Sequence, residues 1–409
     1  MFGWRGRAVI ATVALFNMHA VMAADSLETL KYALSGGTPN LDARLRYENV
    51  EQDNTLEEAT AYTLRTRLGY TTGKWNNFDI SAEYEGVASL DSPDEYNSGP
   101  KGVGSGNGHT NFSVIADPDD DELNQAWIRY TGIPGTTVKY GRQRLILDNA
   151  RFIGNVGWRQ NEQTFDGVSL VNLSIPKTTI TYAYLGNSNF IQFQDFQMKT
   201  HLLNIGFVAS PKFALTGYGY LLDFENDTVA ARRDTQTVGL RLSGALPVGA
   251  GLQVPYALEY ADQSDYKDAP DVVDASYQLA ELGLGGKYLT ARLGYEVLGS
   301  NDGLFGFQTP LATNHAFQGW ADLFLATPPA GVQDAYLSLG GPLLGCNWLA
   351  VYHEFTPDES GDDYGDELDL QVARPINDNF SVLVKYADYT ADAFAFDTKK
   401  LWVQAEYKF

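Results

Sequence analysis

The chain has 409 residues, 44% of them hydrophobic, and a formal net charge of −22 at pH 7. An acidic balance of this size argues against nucleic-acid binding, and the single Cys346 excludes an internal disulfide. No stretch approaches 18 consecutive apolar residues, which excludes helical membrane spans. Tyrosine (24), phenylalanine (21) and glycine (40) are abundant, a mixture that suits many short strands with aromatic belts and glycine-containing turns.

Residues 1–23 read as a signal peptide. Arg5 and Arg7 give a positive start, residues 8–16 a short apolar core, and Val21-Met22-Ala23 a small-residue cleavage site. No cysteine follows the cut, so a lipoprotein is excluded. Residues 24–409 are then one domain.

From there the chain alternates with period two. In residues 41–50, Leu41, Ala43, Leu45 and Tyr47 alternate with Asp42, Arg44, Arg46 and Glu48. Residues 61–71 set Tyr62, Leu64, Thr66 and Leu68 against Thr63, Arg65 and Arg67. Residues 78–90 set Phe78, Ile80, Ala82 and Tyr84 against Asp79, Ser81, Glu83 and Glu85. Such segments predict strands with one apolar and one polar face. Further strands follow at 122–131, 137–144, 165–173, 179–185, 200–209, 213–224, 235–246, 252–261, 276–285, 289–298, 333–339, 346–355, 367–374, 380–389 and 399–409. The last sets Leu401, Val403, Ala405, Tyr407 and Phe409 against Lys400, Trp402, Gln404, Glu406 and Lys408. The total is about 18 strands, joined by short turns alternating with longer loops. That rhythm predicts a closed antiparallel barrel in the bacterial outer membrane, with short periplasmic turns and long extracellular loops. Closure also removes free sheet edges.

Several blocks carry a family resemblance. Tyr140-Gly141-Arg142-Gln143-Arg144-Leu145, Phe152-Ile153-Gly154-Asn155-Val156-Gly157-Trp158-Arg159-Gln160 and Thr164-Phe165-Asp166 resemble the alginate export family of outer-membrane barrels. So do the run from Thr309 to Phe317, Gln318-Gly319-Trp320-Ala321-Asp322, and Tyr352-His353-Glu354-Phe355. The resemblance implies an 18-stranded monomeric barrel whose basic pore passes an anionic polysaccharide such as alginate. The alternative is a general or solute-specific diffusion porin for small molecules. Polysaccharide export implies periplasmic partners. Lipid and lipopolysaccharide surround such a barrel, and no cofactor is implied.

The candidate functional residues are basic. Arg44, Arg46, Arg65, Arg67, Arg129, Lys139, Arg241, Arg292 and Lys385 all fall on the polar parity of their strands. At mid-membrane, arginine on the lipid face costs about 2–4 kcal/mol, so the lumen is its place. A ladder of guanidinium groups offers bidentate contacts to carboxylates or phosphates. The plainer reading pairs these cations with Asp42, Glu48, Glu83, Glu85, Glu259 and Glu296 as wall braces. Arg142 and Arg144 share the parity of Val138 and Tyr140; either Gly141 is a bulge that turns them inward or they lie above the membrane. With Arg151 and Arg159 they crowd the entrance of the third loop (145–163), which is expected to fold into the lumen or to pack on the rim. The seventh loop (301–332) is too apolar for a mobile tip, and its Trp320 suits either loop packing or sugar stacking.

Other features read as structure. The acidic runs 117–122 and 358–369 lack the spacing of a calcium loop and suit solvated loops. Gly102–Gly108 lacks the following Lys-Ser/Thr of a phosphate loop. His109, His201, His315 and His353 are scattered, with no His-Glu-x-x-His and no Gly-x-Ser-x-Gly, so an enzyme is not expected.

Overall fold

The structure is a computed structural model, and it describes residues 24–90, 95–225, 234–269, 271–359 and 361–409. The expected signal peptide lies outside the described residues, as do residues 91–94 of the second loop. The chain opens with a helix, α1 (Ala24–Ser35), which the period-two reading does not anticipate. Twenty strands follow: β1 (Thr38–Gln52), β2 (Ala59–Thr71), β3 (Phe78–Ser89), β4 (Asp120–Ile133), β5 (Thr136–Gln143), β6 (Thr164–Asn172), β7 (Thr178–Phe190), β8 (Gln194–Ser210), β9 (Phe213–Leu222), β10 (Thr235–Gly249), β11 (Leu252–Asp265), β12 (Asp274–Gly285), β13 (Thr290–Leu298), β14 (Ser300–Asn301), β15 (Phe305–Gly306), β16 (Val332–Leu343), β17 (Cys346–Thr356), β18 (Gly365–Pro375), β19 (Phe380–Ala391) and β20 (Thr398–Lys408). β14 and β15 form a small hairpin inside the seventh loop.

The other 18 strands form one antiparallel sheet, each paired with its chain neighbours, and β20 pairs with β1 to close it. Every expected strand is present. One loop is not: residues 186–199 extend β7 and β8 instead, leaving only residues 191–193 between them. The cause is a bulge between Leu185 and Asn187, which breaks the alternation there and hides the strand from a period-two reading.

No described helix is long and apolar enough to cross a membrane; crossing falls to the strands. The outer face carries Leu45, Leu68, Ile80, Tyr140, Leu240, Leu258, Leu293, Val384 and Val403, all exposed. A continuous apolar belt of this size is unstable in water and matches hydrocarbon. The polar residues of the same strands turn inward and are buried, Arg46, Arg65, Glu85 and Glu367 completely. α1 closes part of the periplasmic end, where Gly73 N–H donates to Ala33 O (2.8 Å) and Tyr70 Oη donates to Leu34 O (2.7 Å).

Candidate functional site

The interior is organised by two loops that cross it and interlock. The third loop descends beside β1 and β2. There Arg44 Nη1 donates to the carbonyl oxygens of Gly157 (3.1 Å), Trp158 (3.2 Å) and Arg159 (3.2 Å). Arg46 Nη2 donates to Trp158 O (2.5 Å), and Gln160 Nε2 donates to Thr63 Oγ1 (2.8 Å). The seventh loop spans the opposite walls. Its Gln308 N–H donates to Gln263 of β11 (2.9 Å), Trp320 N–H to Asp369 (3.1 Å) and Ala321 N–H to Glu367 of β18 (2.7 Å). Gly319 makes that last approach possible. It has φ 78°, and a Cβ there would stand 2.2 Å from the Glu367 carboxylate.

The loops then bind each other. Gly154 N–H donates to Leu311 O (2.8 Å), and Val156 N–H to Thr313 Oγ1 (3.1 Å). Arg151 donates to Gln318 (3.0 Å) and pairs with Glu296 of β13 (2.7 Å). Arg159 joins Glu48 of β1 (3.0 Å) to Asp322 of the seventh loop (3.1 Å). At the centre the Trp158 ring stacks on His315, with centroids 4.6 Å apart and planes 3° apart.

The expected cations fall into two groups. The arginines are paired. Arg44 meets Glu406 (3.0 Å), Arg46 meets Asp117 (3.5 Å), and Arg65 meets Asp42 and Glu406. Arg67 meets Glu85 and Glu162; Arg129 meets Asp79; Arg241 meets Glu259; Arg292 meets Glu281 (3.3 Å). Gly141 has φ 121°, and a Cβ there would meet Ala126 O at 2.2 Å, but β5 pairs with β4 and β6 through it without a register shift, so it is not the bulge that the sequence allowed. Beyond it Arg142 is held by Asp166 (2.9 Å) and Glu122 (3.2 Å), and Arg144 by Glu162 and Glu83 (3.7 Å).

The two lysines differ. Lys139 lies over the Trp127 ring (4.6 Å), and Lys385 over Trp320 (3.6 Å) and Trp158 (4.2 Å). Neither has a carboxylate within 4.0 Å among the described residues. Glu48 and Glu85, expected as braces, take part in the network; Glu162, Asp117, Asp322, His315 and Lys400 complete it and were not expected there. Lys400 sits on the polar parity of β20 and was findable; Asp322 and His315 lie inside a quoted family block whose contact with the other block is invisible in sequence.

Two cavities flank the interlocked loops. One, of about 390 Å³, opens toward the extracellular strand ends and is lined by Val50, Phe190, Arg159, Asp322, Leu325 and Lys400. The other, of about 660 Å³, reaches the periplasmic ends of β13 and β16, between Arg241, Arg292, Phe317, Trp320, Tyr336 and His353.

Comparison with known proteins agrees with this architecture. Residues 40–184 match the family model described as alginate export. No curated protein matches significantly. Among solved structures the chain is similar to OpdL of Pseudomonas aeruginosa, with 18% identity and TM-score 0.69 over 92% of this chain and 99% of that one. OpdK of the same organism, solved with vanillate, gives 12% and 0.73 over 92% and 99%. OccAB4 of Acinetobacter baumannii gives 14% and 0.71 over 91% and 98%. At these identities the structures speak for the fold. Barrel, lipid-facing belt and family match point to a channel. The chain is a bacterial outer-membrane β-barrel channel, and its residues 40–184 carry the alginate export pattern.

Proposed function

We propose that the channel passes small anionic solutes, singly, through a lumen partitioned by the third and seventh loops. The observation that carries this reading is the partition itself. Interlocked loops leave two cavities of about 660 and 390 Å³, each the size of a small-molecule site. The arginines of the ladder have carboxylate partners and act mainly as wall braces with little net field. Lys139 and Lys385 lie on tryptophan faces with no carboxylate within 4.0 Å among the described residues, so no fixed anion of the wall pairs with them. They set the sign of selection, and a carboxylate is the matching solute group. The barrel acts as a monomer in lipid and lipopolysaccharide.

A second reading, passage of a polysaccharide such as alginate, is favoured by the family match over residues 40–184. It requires both loops to leave the lumen. Planar-bilayer reversal potentials and liposome swelling with uronate monomers and longer oligomers separate the two. The first reading expects anion preference, reduced in Lys139→Gln, and swelling that falls sharply with oligomer length. Cation preference overturns it, and undiminished entry of long oligomers favours the second.

A further inference from the structure

His315 sits where the loops meet, and its hydrogen bonds fix its protonation. Lys385 Nζ lies 2.7 Å from Nε2, and an ammonium group only donates, so Nε2 must carry a lone pair. Nδ1 then bears the proton and donates to Asp322 Oδ1 at 2.6 Å. The imidazole is neutral: Nε2 joins the seventh loop to Lys385 of β19, Nδ1 is tied to Asp322 of the same loop, and the ring face grips Trp158 of the third loop.

We propose that neutral His315 latches the two loops together and that its protonation releases them, opening the channel in acid. This rests on the channel reading above. A proton on Nε2 removes the Lys385 hydrogen bond and sets two cations face to face. The other groups around the ring are Asp322 on its own loop, Arg159 from the third loop and Lys400 with Trp402 from β20. Behind them stand Glu48 and Asp117 on Arg159, and Glu367 and Asp369 of β18 within electrostatic reach of Lys385. Asp322 favours the charged ring, but it is already committed to Arg159 (3.1 Å) and Lys400 (3.0 Å). Burial above all, with Lys385 and Arg159 adding to it, outweighs Asp322 and depresses His315 to about 3. A depressed imidazole stabilises the latched state fully above its ordinary value of about 6.5. The closed-to-open ratio then falls by up to about tenfold per pH unit, until the pH reaches the latched value.

The test uses the full barrel in bilayers and in detergent between pH 7.5 and 5.0. Wild type is expected to gain conductance as pH falls, and its fluorescence to become more accessible to acrylamide as Trp158 and Trp320 are uncovered. His315→Gln offers an amide donor and acceptor but no proton to gain, so both responses should flatten. His201→Gln, on the outer face of β8 where His201 meets Tyr182 (2.8 Å), should keep them. As a second route, a Gly154→Cys/Thr313→Cys pair in a Cys346→Ser background should staple the loops when oxidised, abolish both responses, and regain them on reduction. The latch is overturned if both wild-type responses are flat, if His315→Gln keeps the wild-type response, or if His201→Gln alone removes it. Quenching that rises in acid without any conductance upholds the latch and overturns the channel reading instead.

Discussion

Glu162 shows how single carboxylates hold the third loop in place. It has no solvent contact and accepts hydrogen bonds from Arg144 (2.6 Å), Asn155 (2.5 Å) and Asn124 (2.7 Å), with Arg67 at 3.5 Å. Burial raises its pKa, but the hydrogen bond from Arg144 and the charges of Arg67 and Arg144 outweigh it and hold the carboxyl at about 2. Its contribution is therefore complete above the ordinary glutamate range of about 4.3 and is lost as pH falls through about 2. Glu162→Gln leaves Arg144 and Arg67 facing a neutral amide in a buried site. Breaking one side of such a pair costs about 3–5 kcal/mol. We expect a lower thermal midpoint by tryptophan fluorescence; a variant that melts like wild type rules out this role. Strand alternation alone reveals that Arg65 and Arg67 face inward. It cannot reveal that Arg67 meets a glutamate 95 residues downstream, because that pairing depends on how a glycine-bearing loop bends back. Local periodicity constrains strands, while loop partners are set by the closed barrel.

At the scale of the strand, β20 joins sequence and structure most directly. Its alternation alone assigns Val403 to lipid and Gln404 to the lumen. The register then sets Arg44 opposite Glu406, which pair at 3.0 Å, so the closing seam carries an ion pair as well as its ladder. Val403 is 45% exposed, whereas Trp402 beside it is wholly buried under Trp158. Val403→Arg places a guanidinium against hydrocarbon at a cost of about 2–4 kcal/mol near mid-membrane. Its folded, heat-modifiable fraction should fall in a lipid-vesicle insertion assay. Gln404 accepts from Arg46 at 2.8 Å. Gln404→Glu should insert normally but weaken anion preference, because a new carboxylate enters the wall beside Arg46. Equal insertion of the two variants contradicts the face assignment. The reading was poorer at β7 and β8, where the bulge at Leu185/Asn187 shifts parity and a long loop was expected instead of paired strand.

For the whole molecule, wall and partition are separable structures. The wall closes through strand pairing alone, from β1 around to β20, and none of those ladders runs through the seventh loop. The partition is held by wall side chains that bond to that loop's backbone, among them Gln263 donating to Gln308 O and Asp369 accepting from the Trp320 backbone N–H. Removing residues 302–326 and joining the ends with a short glycine–serine linker deletes the partition and keeps the ladders. Glu296, Glu367 and Asp369 lose loop partners, but they then face a wider water-filled lumen rather than a dry contact, so their desolvation cost falls with their hydrogen bonds. The shortened barrel should fold, conduct several-fold more current and lose the dependence of swelling on oligomer length. Its selectivity should weaken as well, since Lys385 no longer has Trp320 above it and a wider lumen screens the remaining charges. Unchanged single-channel conductance in a folded deletion variant means that the seventh loop does not partition the lumen, and the small-solute reading goes with it. An increase in current with unchanged oligomer exclusion assigns the sieve to the third loop, whose hydrogen bonds to Arg44, Arg46 and Thr63 the deletion leaves intact.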